Sequence, residues 1–271
     1  MPVELTLVVE NTAQREGLVT EHGLAVHLSA GGRNFMLDTS STPEALAANA
    51  AALGVDLSAI EGVVISHGHG DHVGGLPALL AAREGLKVYA HPRSFDRRRS
   101  SRTRHEIGWP SGPAALAEQG AAWCPVESAC PLTEEVWISG PVPGPQPDLG
   151  SFVLHAGGRQ VPDAFADELF VMVRGRAGWA VLTGCCHRGL PNTLRAARAL
   201  GGDLPIWAVL GGFHLGGAGP DHLAEAAEAL IDADPEAVYP CHCTGRRGID
   251  YLAERLPGKV RQAHGGMRLS L

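Results

Sequence analysis

The sequence predicts an α/β protein in which two β-sheets carry helices on their outer faces. Three observations predict it. Short β-type runs and Ala/Leu-rich helical runs are mixed in both halves of the 271-residue chain. An apolar fraction of 45% is enough for a proper core. Several of the strand-like runs end on His or Cys.

The elements follow in order. "VELTLVVEN", "LAVHLSA" and "NFMLDTS" read as strands separated by Gly and Asn punctuation. "TPEALAANAAALGV" reads as a helix, opened by Thr-Pro and closed by Gly54. "IEGVVIS" is a short apolar run of the kind found in a buried strand. "LPALLAAREG" then reads as a helix and "LKVYAHP" as a strand. Residues 92–165 are rich in Pro and Gly and less regular, with "ISGPVPGPQPDLGS" the clearest break. Sheet-like segments resume directly after it, so it is expected to be a loop bordering an active site, not a linker.

In the second half, "LFVMVRGRAGWAVLTG" reads as two strands joined by a turn, and "LPNTLRAARALGG" as a helix ended by Gly. "PIWAVLGG" and "AVYP" are strands, "PDHLAEAAEALIDAD" and "RRGIDYLAERLPG" helices, and "GMRLSL" a last strand. The expectation is one domain over 1–271, with 92–165 as a loop-rich insertion bordering the site.

Bulk properties narrow the function. A net charge of −7 disfavours nucleic acid as a partner, which needs a broad basic surface. No apolar run reaches the length of about 18 residues that a membrane span requires. "MPVELTLVVENTAQ" has no basic stretch ahead of an apolar one and is expected to be a strand, not a signal peptide. The six cysteines are Cys124, Cys130, Cys185, Cys186, Cys241 and Cys243, and the last four sit beside His in "GCCH" and "CHC". Metal or catalytic duty in a reducing cytoplasm fits them better than a disulfide framework. One basic run, "RSFDRRRSSRTRHE", has two readings: a solvated surface loop, or a clamp in which Arg97, Arg98 and Arg102 bind a phosphate-bearing substrate.

The chemistry concentrates in "VVISHGHGDHVGGL", where His67, His69, Asp71 and His72 follow an apolar strand. On extended backbone, residues i and i+2 point the same way, so His67 and His69 can meet one cation. Asp71 and His72, at the turn into the helix, can face a second. Gly68 and Gly70 leave room for close approach. Imidazole plus carboxylate suits zinc, and also manganese or iron. Three later strand ends carry the same residue types: Cys185, Cys186 and His187; His214; and Cys241, His242 and Cys243. Each alone is weak evidence, but together they make a converging site the expectation. The remaining histidines, His22 among them, have no such context.

"SHGHGDHVGGL", with its H-x-H-x-D-H pattern, resembles the metallo-β-lactamase fold superfamily. "FMLDTS", "VLTGCCHRGLPNTL", "AVLGGFHL" and "PCHCTG" narrow the resemblance to the branch of the dihydropterin-methyl aminobenzene ribofuranosyl phosphate synthases. It extends over most of the chain. The resemblance implies a four-layer αββα sandwich with one or two divalent ions at one edge, zinc first, with manganese, iron or magnesium as alternatives. It implies His67 and His69 as ligands of a first ion, with His187 chosen as the third. Asp71, His72 and His242 are implied for a second. Cys185 falls where many relatives have a bridging Asp, and a thiolate there would favour zinc or iron. His214 is assigned to substrate binding and proton transfer, and Asp71 also to orienting the nucleophile.

The chain departs from the pattern at Asp38-Thr39-Ser40, where relatives commonly have Asp-Thr-Gly. It also departs in the middle loop, which lacks the usual acidic and basic residues around a Pro. Asp163, Asp167 and Glu168 lie roughly where other members place a metal-binding His, and read either as a ligand source or as a solvated acidic turn. The resulting expectation is metal-activated hydrolysis of a small phosphate- or ester-containing anion. The alternatives are a transferase that expels pyrophosphate from a pterin carrier and a metal-dependent binding protein without catalysis.

Overall fold

In the computed structural model, which describes residues 3–109, 111–145, 152–156 and 158–271, the alternation of apolar residues is realised as pleated strands. In the first half these are β1 (Glu4–Val9), β2 (Ala25–Ala30), β3 (Arg33–Leu37), β4 (Ile60–Val64), β5 (Lys87–Ala90), β6 (Arg98–Ser100) and β7 (Ala122–Pro125). Then come β8 (Cys130–Pro131), β9 (Val136–Ile138), β10 (Phe152–Ala156), β11 (Arg159–Pro162), β12 (Phe170–Arg174) and β13 (Trp179–Thr183). The last are β14 (Ile206–Gly212), β15 (Ala237–Cys241) and β16 (Arg268–Ser270). The helices are α1 (Pro43–Leu53), α2 (Gly70–Val73), α3 (Leu76–Ala82), α4 (Pro113–Glu118), α5 (Leu190–Gly201), α6 (Pro220–Ala233) and α7 (Gly245–Arg255).

One sheet has seven strands in the order β16-β1-β2-β3-β4-β5-β7, and the other six in the order β15-β14-β13-β12-β9-β8. Leu5, Leu7, Leu28, Phe35 and Leu37 of the first face Ile138, Val171, Val173, Leu182 and Leu210 of the second. The alternate residues point outward. Met36 and Val63 pack under Leu46, Leu53 and Leu79 of α1 and α3. Val181, Val209 and Val238 pack under Leu194, Leu230 and Leu252 of α5, α6 and α7. The layers are therefore α, β, β, α, as expected. Helix α1 starts where its sequence says: Thr42 Oγ1 accepts the Ala45 N–H at 3.3 Å, and Gly54 closes it at φ 70°.

Residues 92–165 are more regular than expected. β7 pairs in parallel with β5, while β8 and β9 extend the second sheet. The segment therefore contributes strands to both main sheets and is not simply inserted between them. Only β6, β10 and β11 stand apart, as a three-stranded sheet. The end of the "ISGPVPGPQPDLGS" stretch, 146–151, lies outside the described residues. Among the described residues no helix is long and apolar enough to cross a membrane.

Strand direction positions the site. β3, β4 and β5 run parallel in one sheet and β13, β14 and β15 run parallel in the other. Open α/β sheets present ligand-binding residues beyond the carboxyl ends of such strands. Here those ends deliver Asp38, His67, Cys185, His214 and His242.

Candidate metal centre

Beyond β4 the chain runs extended through His67 and His69 before α2 turns Asp71 and His72 inward. Gly68 is required between them, because a Cβ there would lie 1.8 Å from the Ser94 carbonyl oxygen. The ring centroids of His67 and His69 are 4.6 Å apart, and His187 lies 4.8 and 4.9 Å from them. Ligand atoms of His67, Cys185 and His187 all fall within 4.8 Å of one another. So do those of His72, Cys185 and His242, with Cys185 Sγ 3.2 Å from His72 Nε2. Asp71 Oδ2 joins this second group, 3.3 Å from His242 Nε2 and 3.6 Å from His72 Nε2. Two donor groups thus meet at one thiol, and a third cluster, of Cys185, His214 and Cys243, shares it.

The donors are poised for a cation. His67 Nε2, His69 Nε2, both ring nitrogens of His187, and His242 Nε2 are buried without a hydrogen-bond partner among the described residues. Leaving one buried polar atom unpaired costs about 1–3 kcal/mol, and a cluster of them in and beside these two donor groups fits the binding of a cation. Imidazole, thiol and carboxylate donors fit a divalent metal in kind as well as in position. Burial pushes His67 and His187 well below the usual imidazole range and His69 down to about 3, so these rings are neutral, the form that binds a metal.

The second group is charged. Burial would lower His72, but Asp71 and Asp38 beside it push it up to about 9. Burial would raise Asp71, but His72, His22 and His242 hold it well below the usual carboxylate range. Burial pushes the Cys185 thiol well up, and it is a bound cation that would favour its thiolate.

Outer contacts fix the rings. Asp38 Oδ2 lies 2.7 Å from His72 Nδ1 and accepts the Ser66 hydroxyl at 2.7 Å, and that hydroxyl is 2.9 Å from His67 Nδ1. Asn11 Oδ1 lies 2.9 Å from His242 Nδ1, and Glu10 accepts the His242 backbone N–H at 2.7 Å. Such contacts set tautomer and orientation. Asp38→Ala is accordingly expected to weaken metal binding roughly 10- to 100-fold, measured by chelator competition. An unchanged affinity would remove Asp38 from this role.

Several residues at the sheet ends take left-handed backbone conformations without being glycine. These are Asp38 (φ 57°), Ser40 (70°), Cys186 (56°), His214 (49°) and His242 (50°).

The structure therefore brings together ligand atoms of His67, Cys185 and His187 and of Asp71, His72, Cys185 and His242, while His69 adjoins them by ring contact with His67 and His187. His214 stands beside them, half-buried, its ring 4.4 Å from His187 and its N–H donating to Cys243 Sγ at 3.2 Å. The arginine clamp is not assembled. Arg98 is buried, its guanidinium bonded to Asp163 at 2.7 Å, Asp167 at 2.6 Å and the Ser94 carbonyl at 3.2 Å, which leaves it no open face for phosphate. Arg97 is exposed and 3.4 Å from Glu106, and Arg102 is exposed. Neither shares a side-chain hydrogen bond, ion pair or ring contact with His67, His69, His72, His187, His214 or His242 among the described residues.

Asp163, Asp167 and Glu168 are buried, not solvated, and none joins a ligand-atom cluster among the described residues. The first two hold Arg98, and Glu168 accepts the backbone N–H groups of His187 (2.6 Å) and Arg188 (2.7 Å). Sequence reasoning missed His22, whose Nε2 is 3.2 Å from Asp71 Oδ2, along with Asn11, Glu10 and the part Asp38 plays. Nothing around His22 in "TEHGL" marks it.

Comparison with known proteins gives the family and the fold. The family model of the metallo-beta-lactamase superfamily matches residues 22–161, the part that holds His67 to His72. A curated relative, the 7,8-dihydropterin-6-methyl-4-(beta-D-ribofuranosyl)-aminobenzene-5'-phosphate synthase of Methanocaldococcus jannaschii, is 22% identical, covering 96% of this chain and 94% of its own length. Among solved structures, Tm1679, described as a metal-dependent hydrolase of the beta-lactamase superfamily, matches with a TM-score of 0.85 at 27% identity over 99% of both chains. The metallo-beta-lactamase fold protein YhfI from Bacillus subtilis matches over 100% of both chains with a TM-score of 0.63 at 12% identity.

Proposed function

The chain belongs to the metallo-beta-lactamase superfamily, and on that premise we propose that it is a metal-dependent hydrolase of a small anionic substrate. The observation that carries this is the pair of donor groups meeting at Cys185, with buried, unpartnered imidazole nitrogens in and beside them. Likeness to a metal-dependent hydrolase along the whole chain supports it. Imidazole and thiolate donors with a single carboxylate favour zinc, or iron, over magnesium. Divalent cations bound there would supply Lewis acidity and an activated water.

The chain's own residues do the rest. His67, His69 and His187, held neutral, present lone pairs and no charge. Asp71 stays ionised among His22, His72 and His242 and orients the nucleophile by accepting its hydrogen bond. His214, half-buried and beside His187, is placed to pass a proton toward the leaving group. The free thiols suit a reducing cytoplasm.

A second reading is transfer: an organic acceptor replaces water and pyrophosphate leaves. The likeness to the M. jannaschii synthase over nearly both full lengths favours it. The two separate in one assay. Hydrolysis predicts turnover of a generic phosphodiester by the metal-loaded protein with water alone. Pyrophosphate release that depends on a second organic reactant, with no phosphodiester turnover, would overturn hydrolysis in favour of transfer. A metal-loaded protein inactive in both assays would point to a binding protein.

A further inference from the structure

Arg98 is among the largest fully buried side chains, and neither the reaction proposed above nor the core explains it. It faces two buried carboxylates, Asp163 through Nε and Asp167 through Nη2. Both belong to one short loop, 163–169, and that loop touches nearly every segment carrying a ligand of the first group. Asp167 accepts the Gly68 N–H at 2.9 Å, between His67 and His69. Leu169 donates its N–H to the Ser66 carbonyl at 2.7 Å, just before His67. Phe165, its N–H tied to Asp163 at 2.8 Å, stacks on the His187 ring at 3.9 Å between centroids and 11° between planes. Glu168 receives the His187 N–H. On the other side, Arg98 Nη1 donates to the Ser94 carbonyl, the same group that packs against Gly68.

We propose that Arg98 is a positioning residue for the first donor group: by binding Asp163 and Asp167 it holds the 163–169 loop as a brace that sets His67 and His69 on one side and His187 on the other. The physical reason is charge delivered through a fork: one guanidinium reaches both carboxylates at once through separate N–H groups, which a lysine ammonium, a single point charge, does not. Without a guanidinium, two carboxylates would stand buried and close together, and such a pair separates or draws in water. Either response moves Gly68 and Phe165, which are tied to the same two carboxylates. The second group is held chiefly by Asp38, Asn11 and Glu10, none of which Arg98 touches, and the brace reaches it indirectly, through Ser66 and the shared Cys185. The brace should therefore act far more strongly on one cation than on the other.

This inference rests on the metal reading above, and its test keeps the two apart. Cobalt(II) affinity is measured by chelator competition, and the cobalt absorption spectrum is recorded, in two backgrounds. His242→Ala leaves the first group as the intact one; His187→Ala leaves the second. Arg98→Lys is expected to weaken cobalt binding roughly 10- to 100-fold in the first background, with a changed spectrum, and by less than about threefold in the second. Unchanged binding in the first background, or equal losses in both, would overturn the proposal, the latter because a general loosening of the fold spares neither group. If Arg98→Lys does not fold, Asp163→Asn, which removes one arm of the brace at nearly constant shape, carries the same comparison with the same outcomes. Failure of the metal reading looks different: the unaltered chain itself would take up no cobalt, and this inference would fall with it.

Discussion

Replacing His67 and His69 together by Ala is expected to empty the first donor group and to cut turnover by roughly 10³-fold. Lewis-acid stabilisation supplies several kcal/mol of a metal-assisted reaction, and about 4 kcal/mol corresponds to three powers of ten in rate. His187 and Cys185 would then remain as donors for the first ion, which is too few to hold it. Elemental analysis should show the loss directly in protein purified without added metal. Full metal content in the double variant would remove these two residues from the ligand set, and full activity in metal-free wild type would sink the metal reading altogether.

The second large effect is expected at Cys185. Its sulfur belongs to both donor groups, so Cys185→Ser should weaken both ions at once, whereas loss of an imidazole weakens one. Serine keeps the shape but offers a far poorer anionic donor near neutral pH. In the cobalt-substituted protein the sulfur-to-metal charge-transfer absorption should disappear together with the drop in bound metal. Cys186 is the control. It packs into the core under α5, with the Thr193 hydroxyl 3.9 Å from its sulfur, so Cys186→Ser should leave metal content intact. A charge-transfer band that survives Cys185→Ser would place the sulfur ligand elsewhere.

What the sequence made legible, and what it hid, follows from how local each signal is. Helix α1 is marked by its own cap residues, and the strands by their own alternation, so both can be read without knowing their neighbours. The extra regularity in 92–165 cannot. β7 is four residues long and is a strand because Lys87↔Ala122 and Val88↔Trp123 pair across more than thirty positions. The same holds within the site. His67 to His72 announce themselves by density, and Cys185, His187 and His242 by following apolar strands. Asn11, Glu10 and His22 are ordinary polar residues whose duty exists only once β1 and the loop after it lie beside β15. Arg98 looks no different from Arg97 or Arg99 in the chain. Its burial is decided by Asp163 and Asp167, 65 and 69 positions away.

The left-handed backbone at Asp38, Ser40, Cys186, His214 and His242 has a consequence for how this protein can change. A non-glycine residue held there costs on the order of 1–3 kcal/mol. Glycine would relieve that backbone cost, but at Asp38, His214 and His242 it would also remove the side chain that gives the position its use. Heat resistance and chemistry therefore pull in opposite directions at the sheet ends. Stabilisation that preserves the chemistry has to come from the outer helices, where α5, α6 and α7 can be improved without touching this rim.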